Sequence, residues 1–517
     1  MRDPIDRRAF LKWAGTGAAV VSIPVLAGCR PRASLAAAGA AASTGAHGTY
    51  FDRFEVGEAM LRRVMEKALS RGGDFAEVFL QHQITTYTGM EDGQVDRAYS
   101  TVGLGAGIRV LKGDATGFAY CEDLSERGLM SAADTASAVA DGPPQARPRP
   151  LRATPIPNYY SSRVPWSDVG IDQKLPILER AERTLRRQDP RIIRSTIFVG
   201  DEESHIMLVN SEGVLVEDDQ PMASLFATCV AKDGDQIETI SDSISERRGI
   251  EFFRNENVDR LAHRVAERTL RCFDAVAAPA GELPVVLAPG VTGIMLHEAI
   301  GHGMEADYNR KGISIYSDMI GRRVAPKDVT ILDDGTNPYA RGSINVDDEG
   351  VPAQKTVLVE NGILRSYMHD RISARHYGVA PTGSGRRQSF RYPPNPRMRN
   401  TYMLNGPMEP GEIIASVDKG IYAEVFTNGQ VNIGAGDFTF YLRLGRLIEN
   451  GKLGPVIKDV SLAGSGPKVL ETVEMVGNDL KMMDGGGQCG KDGQFIPVGF
   501  GLPTCRAGAI TIGGRIA

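Results

Sequence analysis

Apolar residues recur at helical spacing in the first half of the chain and predict four helices. Between these segments, apolar and polar residues alternate in short stretches, with turn signals at Glu91-Asp92-Gly93 and Lys112-Gly113-Asp114. This alternation predicts a meander of antiparallel strands packed against helices. The predicted helices cover residues 58–71, 125–139, 172–188 and 257–273.

The pattern changes near residue 280. Seven prolines within residues 143–165 indicate an extended connection inside the first half. Beyond Pro279-Ala280-Gly281 the chain becomes richer in glycine and in strand-like segments, with a few short helices. We therefore predict a mixed α/β (α+β) protein with two domains, an N-terminal α/β domain over residues 50–280 and a C-terminal β-rich domain over residues 281–517.

Composition excludes several classes of protein. The 517 residues are 42% hydrophobic and carry a formal charge of −5, so a disordered or fibrous chain is excluded and no nucleic-acid partner is expected. The six cysteines contain no C-x-x-C pair, so neither a zinc ribbon nor a disulfide scaffold is indicated.

The N-terminus resembles a twin-arginine export signal over residues 1–28. Arg7 and Arg8 precede Phe10-Leu11-Lys12 and an uncharged stretch over residues 13–28, which is too short and too rich in glycine for a membrane span. We therefore expect an exported protein in the periplasm or another extracytoplasmic location. Residues 29–49 are expected to form a flexible tether.

Leu26-Ala27-Gly28-Cys29 also resembles a bacterial lipoprotein cleavage box. In that case Cys29 becomes the lipidated first residue and attaches the mature protein to a membrane. Ordinary cleavage after an Ala-x-Ala triplet within residues 36–42 would instead release a soluble protein. An uncleaved apolar tail is the third alternative.

The most informative string is HEAIGHGMEAD over residues 297–307. His297, Glu298 and His302 supply two imidazoles and a carboxylate, which a hydrolytic zinc site requires. The two histidines are five positions apart, and this places them about 140° apart on a regular helix. A shared metal therefore requires a local distortion such as a π-bulge, which Gly301 and Gly303 would permit because glycine tolerates unusual backbone angles. The alternative is two histidines with ordinary hydrogen bonds at a helix end.

A third ligand must come from elsewhere in the chain. Cys489 lies in a glycine-rich segment over residues 484–494, and a thiolate is a strong zinc ligand. A buried structural thiol is the alternative for this residue. The other candidates for the third ligand are Glu305, Asp307, His369 and His376.

The same segment matches G-x-x-x-x-G-K over residues 485–491. Asp492 stands where a phosphate-binding loop has Ser or Thr, and no long helix pattern follows Lys491. A nucleotide site is therefore not expected. The chain around it also has no G-x-S-x-G serine hydrolase motif.

Together these motifs resemble the TldD/PmbA family of metalloproteases, in particular its catalytically competent TldD branch. HEAIGH (residues 297–302) matches the H-E-x-x-x-H core of the family, and PRMRNTY (396–402) resembles its P-R-M-x-N-T-Y segment. CGKDGQ (489–494) followed by PVGFGLPT (497–504) resembles its C-terminal signature. The resemblance covers roughly residues 55–517 and is strongest beyond residue 280.

The resemblance implies that His297, His302 and Cys489 bind zinc and that Glu298 is the general base for hydrolysis of unfolded or short peptides. It also implies a two-domain fold whose subunits pair around an internal cavity, as a homodimer or with a related inactive member. Familiar members are cytoplasmic, so the export signal departs from the family. The alternatives are a non-catalytic peptide-binding or assembly subunit and a metal-dependent amidase acting on non-peptide substrates.

Overall fold

The computed structural model describes residues 48–513. The expected export signal over residues 1–28 and Cys29 lie outside these residues, as does most of the expected tether. Within residues 48–513, no helix combines the length and the apolar character that a membrane span requires.

A seven-stranded sheet organises the chain before residue 280. Its strands run in the order β3-β2-β1-β5-β6-β4, and β7 pairs with β6. The turns expected at Asp92-Gly93 and around Gly113 connect β1 to β2 and β2 to β3, which confirms the predicted antiparallel meander. The strands are β1 (Phe75–Glu91), β2 (Gln94–Lys112), β3 (Ala115–Cys121), β4 (Arg152–Ala153), β5 (Ile192–Asn210), β6 (Val214–Asp233) and β7 (Gln236–Glu246).

The four predicted helices are confirmed, with ends that move by at most a few residues. All four pack on one face of the sheet because each presents an apolar stripe to it. The helices are α1 (Glu58–Leu69), α2 (Glu126–Ser137), α3 (Ile171–Arg186) and α4 (Asn255–Arg271).

The helix-free face of the sheet carries the rest of the protein. Phe79, Ile206 and Leu208 point to this face and pack against Val346 and Phe390 from beyond residue 280. They alternate along β1 and β5 with residues that face the helices, as expected for strands buried on both sides.

A buried charge network ties the same face to the second half of the chain. The Glu77 carboxylate accepts hydrogen bonds from Arg109 at 2.8 Å and from Arg387 at 2.6 Å. Arg109 also donates to Glu349 at 2.6 Å. All four side chains are buried, so each charge depends on its partners to offset the loss of water.

Strands dominate the chain beyond residue 280, in keeping with the mixed α/β class expected from the sequence. One sheet runs β11-β10-β9-β14-β21-β19, with β20 paired to β21. In another sheet, β17, β16, β15, β8 and β22 pair in turn, and β22 pairs back with β17 to close a ring of five strands. The strands are β8 (Gly281–Leu287), β9 (Ile331–Asp334), β10 (Lys355–Glu360), β11 (Ile363–Leu364), β12 (Gly385–Arg386), β13 (Asn395–Pro396), β14 (Asn400–Met403), β15 (Lys419–Val431), β16 (Asp437–Glu449), β17 (Lys452–Ser465), β18 (Met475–Val476), β19 (Lys481–Met482), β20 (Gly487–Lys491), β21 (Gln494–Leu502) and β22 (Cys505–Gly513).

The helices described in this half are short, as the sequence predicts. They connect the strands, and several of them contribute residues to the core that the two sheets share. They are α5 (Ile294–Leu296), α6 (Ala306–Arg310), α7 (Arg371–Tyr377), α8 (Pro410–Ala415) and α9 (Gly466–Glu471).

Candidate metal centre

The segment that holds the two motif histidines departs from α-helical geometry at the first of them. Helix α5 continues as a π-helical turn over His297–Gly301 and then as a 3-10 turn over His302–Met304. A π-helical turn bonds residue i to residue i+5, so it brings residues five apart onto one face. The two imidazole ring centres are 5.1 Å apart. The predicted distortion is therefore confirmed.

The role predicted for the flanking glycines is wrong. Gly301 has φ −57° and ψ −50°, which are ordinary helical angles that any residue adopts. The two glycines instead leave room for neighbours: a Cβ on Gly301 would lie 2.1 Å from the Met398 sulfur, and one on Gly303 would lie 2.7 Å from the Tyr316 ring. They are required by close packing and not by unusual backbone angles.

Replacing Gly301 with alanine is expected to destabilise the protein by about 1–3 kcal/mol, because the added methyl group displaces a buried side chain. A lower midpoint of thermal unfolding measures this loss. The matched control is Gly411→Ala in helix α8, where an added Cβ meets nothing within 4 Å and stability is expected to stay equal or rise slightly. Equal unfolding midpoints for the two variants would show that the close contact with Met398 does not make an added methyl group destabilising.

Cys489 approaches the histidine pair from a β-hairpin. Strand β20 pairs with β21 so that Cys489 lies opposite Ile496. The hairpin turn is Asp492-Gly493, and both residues have positive φ, 50° and 73°, as a two-residue type I′ turn requires. The Cys489 Sγ lies 3.5 Å from His302 Nε2, and one donor atom each from Cys489, His297 and His302 lie within 4.8 Å of one another. The structure thus brings the three predicted ligands together.

The donor set fits a zinc ion. Tetrahedral zinc with Zn–S near 2.3 Å and Zn–N near 2.05 Å separates sulfur from nitrogen by about 3.6 Å, close to the 3.5 Å between Cys489 and His302. Both ring nitrogens of His297 are buried and have no hydrogen-bond partner among the described residues. An unpaired buried imidazole is costly, and a metal would remove that cost for the coordinated nitrogen.

The surroundings of Cys489 favour its thiolate form. Burial opposes ionisation of the thiol, but His297 and His302 outweigh it and hold its pKa well below the usual range. The thiolate is the form that binds metals. The three other cysteines that are buried among the described residues lack such neighbours, and burial raises their pKa: Cys229, Cys272 and Cys505.

Glu305 orients His302 and is placed behind it, outside the group of three ligands. Its Oε2 lies 3.0 Å from His302 Nδ1, which leaves Nε2 directed at Cys489. Lys491 Nζ lies 3.2 Å from the same carboxylate and donates to Asp307 at 2.7 Å. Burial opposes ionisation of Glu305, but Lys491 and His302 lower its pKa to about 2. Glu305 and Asp307 therefore form an outer shell, as carboxylates often do behind histidine ligands.

The two distant histidine candidates lie elsewhere. His369 is buried beside the rings of Tyr367 and Tyr377, with ring centres 6.1 and 5.4 Å away, and burial lowers its pKa to about 4. His376 is exposed near the end of α7. Neither residue belongs to the group around Cys489.

Glu298 lies at the edge of the three-ligand group. Its Oε2 is 3.9 Å from His302 Nε2, and its side chain keeps 20% of its surface exposed. Among residues 48–513 it has no hydrogen-bond partner. A carboxylate that is close to the ligands and not held by other groups is free to exchange a proton there.

The segment that matches a phosphate-binding loop forms strand β20 and not a loop before a helix. Its Lys491 is buried and donates to Asp307 and to the Pro396 carbonyl. Its ammonium group supports the histidine side of the centre through Glu305.

Sequence reasoning gave no role to Arg397, although it lies in the PRMRNTY segment. Its side chain is fully buried and donates to the Cys489 carbonyl oxygen at 2.5 Å. Arg397 therefore holds the backbone of the strand that carries the thiolate. The position of the arginine within a recognisable motif was the available signal.

Fold and site together define a class of protein. Two imidazoles and a cysteine sulfur meet in the protein interior, a carboxylate lies beside them, and a second carboxylate orients one imidazole. This is the arrangement of a metal-dependent hydrolase.

Comparison with known proteins identifies the family. Residues 280–514 match the PmbA/TldA metallopeptidase C-terminal domain, residues 164–273 its central domain and residues 76–140 its domain 1. The chain is 38% identical over 459 residues to a relative named Metalloprotease TldD homolog from Buchnera aphidicola (subsp. Acyrthosiphon pisum), covering 87% of this chain and 95% of that protein. The chain therefore belongs to the PmbA/TldD metallopeptidase family.

Further relatives agree with this assignment. The Metalloprotease TldD homolog from Haemophilus influenzae is 36% identical over 453 residues, covering 86% of this chain and 94% of the relative. The crystal structure of TldE from Thermococcus kodakarensis has a TM-score of 0.69 at 20% identity and covers 88% of this chain and 99% of that one. At this identity the likeness to TldE shows the fold alone.

Proposed function

We propose that this protein is a zinc-dependent peptidase in which His297, His302 and Cys489 hold the metal and Glu298 is the general base. One observation carries the proposal: three buried donor atoms of the types that zinc prefers converge within 4.8 Å, and neither nitrogen of His297 has a hydrogen-bond partner among the described residues. A buried group of this kind is costly without a cation.

Zinc bound there would polarise the scissile carbonyl and make a water molecule a better nucleophile at neutral pH. Glu298 then accepts the proton that the attacking water loses. The same carboxyl group later donates that proton to the nitrogen of the leaving amine. Its partial exposure and the lack of a hydrogen-bond partner for its side chain among the described residues leave it free to do both.

The outer shell keeps the ligands in place during this cycle. The Glu305 carboxylate accepts a hydrogen bond from the Nδ1–H group of His302 and so fixes Nε2 as the ligand atom. Lys491 holds Glu305 ionised, and Arg397 holds the Cys489 backbone. Each of these residues acts by positioning a ligand.

We propose unfolded or short peptides as substrates. The ligand atoms are buried, so a chain must enter as an extended segment to place its backbone at Glu298. A folded protein surface does not meet this requirement.

A non-catalytic peptide-binding or assembly subunit is the first alternative. The complete set of ligands and Glu298 argues against it, because binding a peptide requires no such set. A metal-dependent amidase on non-peptide substrates is the second alternative. Comparing the release of amino groups from unfolded peptides and from amide-bearing cell-wall fragments separates the amidase from the peptidase.

Removal of the metal tests the proposal. Dialysis of the purified protein against a zinc chelator is expected to abolish peptide hydrolysis, because the transition state then lacks the charge stabilisation that the metal supplies. Addition of one equivalent of zinc is expected to restore it, with zinc measured by atomic emission in the same samples. Full activity in samples free of zinc would overturn the proposal.

The partner and the location follow as proposals. We propose that the subunit pairs with a second member of its family, either a copy of itself or a related inactive chain, since a solved TldE shares its fold. Native mass spectrometry of the isolated chain tests whether it pairs with itself.

We also propose export by the twin-arginine route and a lipid on Cys29. The mass of the mature N-terminal peptide tests both.

A further inference from the structure

A polar cavity of about 330 Å³ lies between the helix-free face of the N-terminal sheet and the β20–β21 hairpin. Strands β1, β5 and β6 supply one wall, and Gln488, Ile496 and Pro497 of the hairpin supply part of another. The cavity therefore borders the hairpin that carries Cys489, yet none of the proposed ligands lines it.

Three arginines that line this cavity have no ion-pair partner. Arg247 and Arg386 are 3% and 4% exposed, and Arg341 is largely buried. Within residues 48–513, no carboxylate lies within 4.0 Å of any of the three guanidinium groups. The buried Arg109 and Arg387 differ, because each has a carboxylate at 2.6 Å. Asp218 and Glu202 act on Arg247 and Arg341 through their charge, but buried guanidinium groups without a direct ion-pair contact remain a costly arrangement.

Two of the three use part of their donors on backbone carbonyls. Arg341 Nε donates to Gly487 O at 3.0 Å, and Arg386 donates to Pro497 O at 2.9 Å and Met398 O at 2.7 Å. Burial and the nearby charge of Arg247 lower the pKa of Arg386 to about 9 and that of Arg341 to about 10. An anion in the cavity would offset both effects.

Arg247 has donors to spare. Its guanidinium lies 5.1 Å from the centre of the Tyr160 ring, and its buried Nε has no hydrogen-bond partner. The side chain of Arg247 forms no hydrogen bond to any described residue. A planar guanidinium in this state presents the fork that binds a carboxylate in a bidentate manner.

The acidic residues of the cavity do not satisfy these arginines. Asp347 accepts hydrogen bonds from the backbone amides of Glu349, Val351 and Gly385. Asp348 Oδ2 accepts from the Arg387 backbone amide at 2.7 Å. Glu202 lines the cavity but lies beyond ion-pair distance of the three guanidinium groups.

The remaining lining indicates the kind of anion. The cavity is lined by the amide side chains of Gln83 and Gln220, which can bond to peptide groups, and by the largely buried apolar side chains of Phe79 and Met222. Its volume lies in the range of small organic ligand sites. Inorganic phosphate would leave the amide and apolar parts unused.

We propose that this arginine cavity binds the C-terminal carboxylate end of a short peptide, with Arg247 as the principal partner of the carboxylate. The inference rests on the proposed function only in its choice of a peptide as ligand. Binding there also contacts Arg341 and Arg386, which hold Gly487 and Pro497 on either side of Cys489, so the peptide end would steady the hairpin.

Binding is measured directly, so that its outcome does not depend on hydrolysis. The full chain carrying Glu298→Gln is titrated calorimetrically with acetyl-Ala-Ala bearing a free carboxylate and with its C-terminal amide. We expect the free acid to bind at least about tenfold more tightly, because only the carboxylate pairs with the guanidinium groups. Arg247→Gln in the same background is expected to remove this preference.

The matched control is Arg365→Gln, which removes an arginine whose side chain is 50% exposed and paired with Glu360; it is expected to bind like the parent. Arg247→Lys is the second variant if the glutamine variant does not fold. It is expected to weaken the binding of the free acid at least about threefold, because lysine lacks the bidentate geometry of arginine. Equal affinity for acid and amide would overturn the proposal, as would an unchanged preference in the Arg247 variant that folds. Tighter binding of inorganic phosphate than of the free acid would also overturn it.

Discussion

Replacing Glu298 with glutamine is expected to lower the turnover of a peptide substrate by at least about 10² while the protein keeps one zinc per chain. Glutamine preserves the size of the side chain and cannot accept the proton of the attacking water, so the chemical step loses its general base. The metal stays because Glu298 lies outside the three-ligand group. Parallel measurements of kcat and of zinc content test both parts.

The control is Glu360→Gln, a glutamate on strand β10 with a half-exposed side chain and one exposed ion pair, which is expected to leave both values unchanged. Turnover equal to that of the parent would remove Glu298 from the mechanism. Loss of zinc together with activity would instead make Glu298 a ligand.

Replacing Cys489 with alanine is expected to lower zinc affinity by more than about 100-fold and to abolish peptide hydrolysis. Loss of an outer-shell partner alone costs about 10- to 100-fold in metal affinity, and Cys489 would bind the metal directly. Its thiolate also supplies the negative charge among the three ligands. Zinc content after dialysis and competition with a chromogenic chelator measure the change.

Cys505→Ala is the matched control, because Cys505 is equally buried but has no imidazole beside its sulfur among residues 48–513. It removes the same atom from the core and is expected to retain zinc. A full zinc content in the Cys489 variant would show that another residue is the third metal ligand. Glu305, which already contacts His302, would be the first candidate to test.

The local sequence predicts some features of the candidate site and leaves others open. The five-residue spacing of His297 and His302, taken with the hypothesis of a shared metal, predicted a local distortion such as a π-bulge, because the geometry of a single turn depends on neighbours in the chain. The glycine-rich context drew attention to Cys489, but the residues alone left five candidates for the third ligand. Choosing among them required contacts over 187 positions.

Close packing explains the prediction that failed. The backbone angles of Gly301 are ordinary, and the reason for a glycine is the Met398 sulfur, which arrives from the segment before β14. No local rule predicts which distant atom will fill a space beside a helix. The functions of Arg397 and Lys491 were hidden for the same reason, since each acts through a hydrogen bond to a residue far away in the chain.

The sequence by itself determined the four helices, the hairpin turns and the mixed α/β class, because these follow from periodicity and turn residues over a few positions. Its spaced motifs also indicated the family. Only the tertiary structure decided which donor atoms meet and which carboxylate lies behind an imidazole. It alone placed three arginines that lack an ion pair among the described residues around one cavity, because long-range strand pairing and the exclusion of water set those distances.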